Sequence, residues 1–506
     1  MAYDRHRARP MTALSYLPAS FTLKAKTRPG VFWRCVLIGL VSGTAIFFNV
    51  WLSGALAIVL CLATLRASTS MIALLSAAAI LPQGSLNLFG LHAEAPFLGA
   101  ALVATAFFQT GFLLLSRQWK TGRNTQLLLI GGSLAVVLTA STTSDAPTSL
   151  VGLSQFLFPV FILVVWLDNL FRRATHAYEA AYAVAGLLAA LALGSAAMLL
   201  VGQGQDYNRT DLNGVVWQPQ ILGLCMVPMA LLMLNLRRLP PWVRIAGCAG
   251  AIWLIWAAWS RTGLAAIALI AFIEVIRRGV QVVPILKRLQ SPPRGSFAYQ
   301  LKKHLLPFVF ISAVAGSLWF AGNTSAIPVK PGSEKQIFSV EGYASSRSGP
   351  LARSYDNIEA NLATGIGFGV PSDPRLIDPQ VAAENLHVLK TEGRFLILSD
   401  KGNSFVAIVE ETGILGAPLW LGLFYLVLAR VSATGPIGRS MAFLFILCAM
   451  GEAMVYTMSG IGLLQWTALV AAAGFSRQPR RRNSNRTPAD YTYSKLVLNR
   501  RAGDAS

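Results

Sequence analysis

Apolar residues run through this chain in long blocks separated by short polar stretches. The blocks lie near 31–50, 51–66, 69–82, 95–116, 126–140, 150–168, 178–202, 215–236, 242–259, 262–278, 304–321, 404–430, 438–457 and 460–475. A helix that crosses a bilayer needs roughly 17–25 mostly apolar residues. The pattern therefore predicts an all-α, polytopic membrane protein. Several blocks are short and the first three run close together, so the expectation is twelve to fourteen spanning helices.

Charge tests that map. With the N-terminus inside, connections after even-numbered blocks face the cytoplasm. They carry Arg66; Arg117, Lys120 and Arg123; Arg172 and Arg173; Arg237, Arg238 and Arg244; and a dense set from Arg277 to Lys303. Arg430 and Arg439 flank the next, and the tail holds Arg477, Arg480, Arg481 and Arg482. The other connections are nearly free of basic residues, apart from Arg209, Arg261 and one long loop. Cytoplasmic enrichment in Lys and Arg is the expected signature of this orientation. Six basic residues between Arg5 and Arg28 precede the first block without a convincing cleavage site, which predicts a retained first helix.

The expected organisation is a basic cytoplasmic N-terminus (1–30), a helical bundle (31–321), a large external loop (322–403), further spanning helices (404–475) and a basic cytoplasmic tail (476–506). The loop is nearly balanced in charge, from Lys330 to Lys401 on the basic side and Glu334 to Asp400 on the acidic side. Structureless loops of this length are uncommon. Tyr355, Ile358 and Leu362 share one side of a helix predicted over Arg353 to Leu362. Pro371 to Pro379 breaks it, and a second helix is predicted from Pro379 to about Thr391.

Composition agrees with the blocks. Of 506 residues, 54% are hydrophobic and 13% charged, the latter about half the share usual in soluble domains. Mean hydropathy is +0.54. Such a sequence excludes disorder and a disulfide scaffold, and it argues against a soluble enzyme. The 43 basic against 22 acidic residues give +21. Because they punctuate apolar runs instead of forming one patch, they point to membrane topology and away from a nucleic-acid partner. The five cysteines lie inside apolar stretches without a CxxC pair and read as small buried hydrophobes.

Two external arginines carry the first candidate chemistry. Arg209 follows a spanning block within Gln205–Thr210, and Arg261 opens Ser260-Arg261-Thr262-Gly263, a hinge too tight for a loop. Arginine is costly at membrane depth and meets a partner there. Its fork suits a diphosphate; snorkelling, or pairing with an acid such as Asp206, is the structural alternative. Arg347 and Arg353 of the long loop are further candidates. Glu410 and Glu411 lie just inside an apolar run, where either could serve as a base, cap a structure or pair with an arginine. His387 is a candidate base because a neutral imidazole accepts a proton near pH 7, with a solvated helix-face role as its alternative. Gly365, Gly367 and Gly369 form a GxGxG without the strand, helix or Lys-Ser/Thr of a nucleotide motif. They predict a tight turn that lets backbone approach a site closely. The scattered histidines and the absence of HExxH spacing predict no metal.

Several pieces together resemble the O-antigen ligase and polymerase superfamily of bacterial inner-membrane proteins. Ser260-Arg261-Thr262-Gly263-Leu264 is similar to that family's Ser-Arg-x-Gly helix start. Arg209 through Gly214, Gln218-Pro219-Gln220 and Gly223 are similar to its Arg…Gly…Pro-Asn…Gly stretch, with Gln220 where Asn is usual. Gly365 to Gly369 resembles its Gly-x-Gly-x-Gly. Asn403-Ser404-Phe405, then Glu411-Thr412-Gly413 and Gly416, resemble its His-Asn-x-x-Leu…Glu-x-Gly-x-x-Gly entry into the next span. The resemblance covers about residues 200–475.

It implies a GT-C-like glycosyltransferase acting on undecaprenyl-diphosphate-linked glycan at the periplasmic face, without cofactor or metal. Taken with the residue chemistry above, Arg209, Arg261, Glu411 and His387 are the candidate catalytic set. Arg347, Arg353, Gly365, Gly367, Gly369 and Asn403 are the implied substrate-binding set. A chain-length regulator and other polysaccharide-export components are the implied partners. One departure matters: Lys401 and Gly402 precede Asn403 where the family's ligases carry a histidine, and an exposed lysine stays protonated at pH 7. The expectation is therefore a polymerase of O-antigen, capsule or exopolysaccharide. The alternatives are a ligase moving glycan to a lipid or protein, and a non-enzymatic permease.

Overall fold

The computed structural model of the chain describes residues 30–89, 95–116, 118–122, 146–170, 177–202, 214–216, 219–282, 297–323, 340–378, 401–452 and 460–477, with isolated positions between them. Within these the architecture is all-α, with no β-strand among the described residues. In chain order the helices are α1 (Gly30–Ala45), α2 (Val50–Thr64), α3 (Ala67–Phe89), α4 (Ala95–Leu115), α5 (Ala146–Leu170), α6 (Ala177–Leu200), α7 (Pro219–Asn235), α8 (Pro241–Ala257) and α9 (Arg261–Val282). They continue with α10 (Phe297–Asn323), α11 (Val340–Ala360), α12 (Ser404–Ala433), α13 (Pro436–Gly451) and α14 (Gly460–Ala472).

Local chemistry sets many of the ends. Asn49 caps α2 by accepting from Trp51 N at 2.7 Å and Leu52 N at 3.2 Å, which satisfies donors that the first turn leaves open. Pro241 and Pro436 sit in the first turns of α8 and α13, where a missing N–H costs nothing. Leu65 and Arg66 separate α2 from α3, so these two blocks are distinct helices. α11 begins at Val340, well before the helix expected from Arg353. Its first half is polar and carries no apolar period for a sequence reading to find.

α1 packs on α6, α3 on α4, α7 on α8 and α12 on α13, while α14 threads between α3, α6, α7 and α13. α11, the helix from the long loop, lies on α10 and α12. Prolines stand inside α3, α5, α7, α10, α11 and α12. In water such residues break helices; among packed neighbours in apolar surroundings they are tolerated.

The exterior is apolar. Trp33, Phe48, Phe97, Phe108, Trp242, Trp256, Phe308 and Trp319 are all exposed, far more large hydrophobic surface than a soluble monomer carries. The helices over Phe97–Leu115, Tyr178–Leu200, His304–Asn323 and Ser404–Ala433 are long and apolar enough to cross a membrane. Shorter apolar helices such as Pro219–Asn235 and Pro241–Ala257 pack among them. The block at 126–140, the N-terminal 29 residues and the basic tail beyond Arg477 lie essentially outside the described residues, as does most of the helix expected over 379–391.

Candidate site at one end of the bundle

The site is built around a break in α12. Asn403 caps its start, accepting from Phe405 N at 2.8 Å and Val406 N at 3.3 Å. The helix then runs to Gly413, where φ is 57° and ψ is −172°. The backbone groups released by the break are taken up by residues 362–367. Ile366 N donates to the Glu410 carbonyl at 2.9 Å and Gly367 N to the Glu411 carbonyl at 3.1 Å. In return Ile414 N donates to Leu362 O at 2.9 Å and Leu415 N to Ala363 O at 3.2 Å. Gly365, with φ of 72°, has its Cα against the Glu411 backbone, so a Cβ there would collide with main chain. The GxGxG thus splices a loop into a broken helix. Four of its amide donors are spent inside the protein: besides Ile366 and Gly367, Gly365 N donates to Asn361 O at 2.8 Å and Gly369 N to Glu411 Oε2 at 2.7 Å.

The side chains beneath this splice form a closed ionic cluster. Lys401 Nζ lies 2.7 Å from Glu411 Oε1 and 3.7 Å from Glu410 Oε2, and donates to Val370 O at 2.7 Å. Glu410 also accepts from Ser354 Oγ at 2.8 Å and Asn357 Nδ2 at 2.7 Å, which ties α11 to α12. Both glutamates are fully buried and Lys401 is 7% exposed. The expectation of an exposed Lys401 is corrected: its neighbours in sequence are polar, but packing against Val370 and the two acids encloses it. Burial pulls the ammonium's pKa down, yet the Glu411 and Glu410 charges outweigh it and the net direction is upward. Lys401 is a fixed cation paired with Glu411, for which the sequence suggested an arginine as partner.

A second cluster gathers at Glu452, the extended residue that ends α13. Arg347 of α11 reaches Glu452 Oε2 at 2.7 Å. Thr262 of α9 donates to Glu452 Oε1 at 3.1 Å. Ser404 Oγ donates to the Glu452 carbonyl at 2.5 Å, and Asn403 Nδ2 donates to Met450 O at 2.8 Å and Ser317 Oγ at 3.0 Å. Arg261, half-buried, opens α9 next to Thr262. The turn before it is tight: Trp259 has φ of 47°, Ser260 Oγ accepts from Gly263 N at 3.3 Å, and Gly223 of α7 packs so closely on Ser260 that a Cβ would overlap it.

Of the residues expected from sequence, Arg261, Arg347 and Asn403 converge on the Glu452 end, and Glu411 with Gly365, Gly367 and Gly369 on the splice. Arg353 stands aside with Asp373, at 2.8 Å, an acid that Arg375 also holds at 2.7 Å. Hydrogen bonding from Arg375 is the main cause that lowers the Asp373 carboxyl from 3.8 to about 2. Arg209 and His387 lie outside the described residues. Among the described residues no group of three or more His, Cys, Asp or Glu is arranged to hold a metal ion. The sequence reading missed Glu452, and it took Lys401 for an exposed residue. For Glu452 a signal existed: it is the lone acid between Glu411 and Asp490, and an ionisable residue inside an apolar run marks a site by default.

No family model, no curated protein and no solved structure matches this chain.

Proposed function

We propose that this chain is a polytopic, GT-C-like enzyme of the bacterial inner membrane that polymerises undecaprenyl-diphosphate-linked repeat units at the periplasmic face. Both termini are then cytoplasmic and residues 322–403 external. What carries this reading is one observation: stretches far apart in sequence meet at one end of the bundle. Ser260 to Gly263 packs on Gly223, Thr262 bonds Glu452, and Asn403-Ser404 bonds the same turn. Those are stretches on which the family resemblance rests, apart from Glu452.

The chemistry fits such a site. An acceptor hydroxyl attacks the anomeric carbon of the growing chain, the bond to the diphosphate breaks, and lipid diphosphate leaves. Arg261 and Arg209 stabilise the charge that develops on it. The break in α12 also fits, because it lets 413–433 cross by itself: at 1.5 Å per residue that stretch is about 31 Å long, against a hydrocarbon core of about 30 Å. Lys401, Glu410 and Glu411 then sit at the membrane edge.

A permease is the second reading, and the broken α12 is what favours it, since transporters use discontinuous helices for ion sites. Here four of the freed backbone groups, the Glu410 and Glu411 carbonyls and the Ile414 and Leu415 amides, are bound by residues 362–367 and so are not offered to an ion path. A histidine-dependent ligase fits less well. Gly402 stands directly before Asn403 where the family's ligases carry a histidine, and its φ of 72° is a left-handed conformation that glycine adopts without steric cost.

Deletion of the gene followed by analysis of surface glycan tests the reading. A polymerase predicts accumulation of a single lipid-linked repeat unit. Full-length polymer left unligated would replace it with the ligase, and unchanged glycan would remove both.

A further inference from the structure

We propose that the turn between α7 and α8 binds the phosphate of an anionic phospholipid through Arg237, Arg238 and Arg244; that the lipid belongs to the cytoplasmic leaflet rests on the reading above. The corner is compact. Arg237 N donates to Asn235 O at 2.8 Å, Leu239 N to Leu236 O at 2.9 Å and Arg244 N to Pro240 O at 3.2 Å. Arg244 Nη2 reaches back to Leu234 O at 2.7 Å, which holds its fork against the end of α7. The Arg238 guanidinium carbon lies 5.3 Å from the centre of the Tyr178 ring, and its amide donates to Tyr182 Oη at 3.4 Å. Arg237 is exposed. All these partners are uncharged. Arg238 Nη1 and Arg244 Nε are covered by protein without an acceptor, and no carboxylate among the described residues pairs with any of the three arginines. Nearby acids are engaged with other arginines: Glu179, next to Tyr178, lies 3.8 Å from Arg66, and Asp168 lies 3.0 Å from Arg430. The corner therefore keeps three positive charges that the protein does not compensate.

What lies beside the corner selects a lipid over a free anion. α8 turns one apolar face outward, with Trp242, Ile245, Ala249, Ile252, Trp253 and Trp256 all exposed. Steps of three and four residues place them on one side of the helix. Trp242 stands in the first turn, beside the arginines, and tryptophan is enriched where a membrane meets water. From Trp242 to Ile252 the helix rises about 15 Å at 1.5 Å per residue, half of a hydrocarbon core of about 30 Å. A phospholipid thus meets cations at its phosphate and an apolar helix face along its acyl chains. Guanidinium forks suit phosphate oxygens in two-point contact, and basic sites at the cytoplasmic ends of membrane helices bind anionic headgroups. A free phosphate would leave the apolar face without a partner. The corner is also separate from the candidate site. The 17 residues of α8, about 26 Å of helix, lie between it and the Ser260-Arg261 turn.

The test counts bound lipid by native mass spectrometry on the full chain, purified in detergent and freed of lipid, with no repeat unit present. The probes are dioleoyl phosphatidylglycerol, dioleoyl phosphatidylcholine and glycerol 3-phosphate. Wild type should retain phosphatidylglycerol over phosphatidylcholine, and glycerol 3-phosphate at the same concentration should not displace it. Arg237→Gln changes an exposed side chain that makes no bond within the protein, so it should fold normally. It should weaken phosphatidylglycerol binding about fivefold, the value of one cation near an anionic lipid surface. Arg237→Gln/Arg238→Gln/Arg244→Gln should lose the preference altogether. Arg375→Gln, on the long loop, should leave it unchanged. Equal retention of the two lipids by wild type, an undiminished preference in Arg237→Gln, or an equal loss in Arg375→Gln overturns the site. Displacement by glycerol 3-phosphate makes this a free-anion site and overturns the lipid assignment. No glycan enters the measurement, so protein that prefers phosphatidylglycerol yet extends no chain overturns the polymerase reading alone. A reporter fused after Arg244 that reads periplasmic overturns the cytoplasmic leaflet.

Discussion

The two acid clusters at the candidate-site end of the bundle share one helix start yet differ in which elements they join. Lys401, Glu410 and Glu411 are sealed in, and their charges, hydroxyl, amide and backbone partners close on one another. Arg347 of α11 pairs with Glu452 at the end of α13, and Thr262 of α9 donates to the same carboxylate. A sealed ionic cluster is costly to disturb and fixes geometry. An acid bonded from two other helices ties those helices together. The lesson is that a buried carboxylate in a motif can be structural: Glu411 shapes the splice that Gly365 and Gly413 require, while Glu452, in another apolar run, joins α9 and α11 to the end of α13.

The sharpest way to break this division is at the arginine. Arg261→Ala and Arg209→Ala should each abolish polymer formation in complemented deletion cells while protein levels stay near normal. Arg261→Lys should rescue poorly because a point charge loses the two-point contact. Full activity in both alanine variants would remove the diphosphate assignment.

The sealed cluster is next in size. Lys401→Met leaves two buried carboxylates without their cation, which typically costs about 3–5 kcal/mol. Thermal unfolding in detergent should show a large fall in midpoint. Lys401→Met/Glu411→Gln should lose less than the sum of the two single variants. Strict additivity would mean that the two side chains do not act as a pair.

Gly365→Ala should cost at least about 1–2 kcal/mol from its left-handed backbone alone, with a further loss from collision with the Glu411 main chain. Gly349→Ala, at an exposed position of α11, is the control and should leave the midpoint nearly unchanged. Equal midpoints for the two variants would contradict the splice.

The smallest effect is at Asp373, beside Arg353 and Arg375. Its carboxyl is lowered in the folded protein, from 3.8 to about 2. A lowered carboxylate stabilises above its unfolded value, and that contribution fades as pH falls from about 4 towards 2. Wild type should therefore melt slightly above Asp373→Asn at pH 6, and the gap should close by pH 2. A gap that widens on acidification would reverse the sign.

Much of the fold was legible because membrane-like helices announce themselves by unbroken apolar length. The turn between α8 and α9 was visible in Ser260-Arg261-Thr262-Gly263, and the GxGxG in its glycines, since both depend on local backbone chemistry. Long-range packing was not visible. Lys401 looked exposed because its burial depends on Val370, Glu410 and Glu411. Val340 to Pro350 looked like loop because a polar helix resting on α10 and α12 carries no strong period. Glu452 was readable as a lone acid, but its partners Arg347 and Thr262 lie on separate helices that only the tertiary structure joins.

The most direct measurement is chain growth by the purified full-length protein in vesicles supplied with the lipid-linked repeat unit from deletion cells. The account predicts glycans of two or more repeat units, release of undecaprenyl diphosphate, and the same rate with EDTA, since arginines stabilise the leaving group. Folded protein that leaves the single repeat unit intact would contradict it.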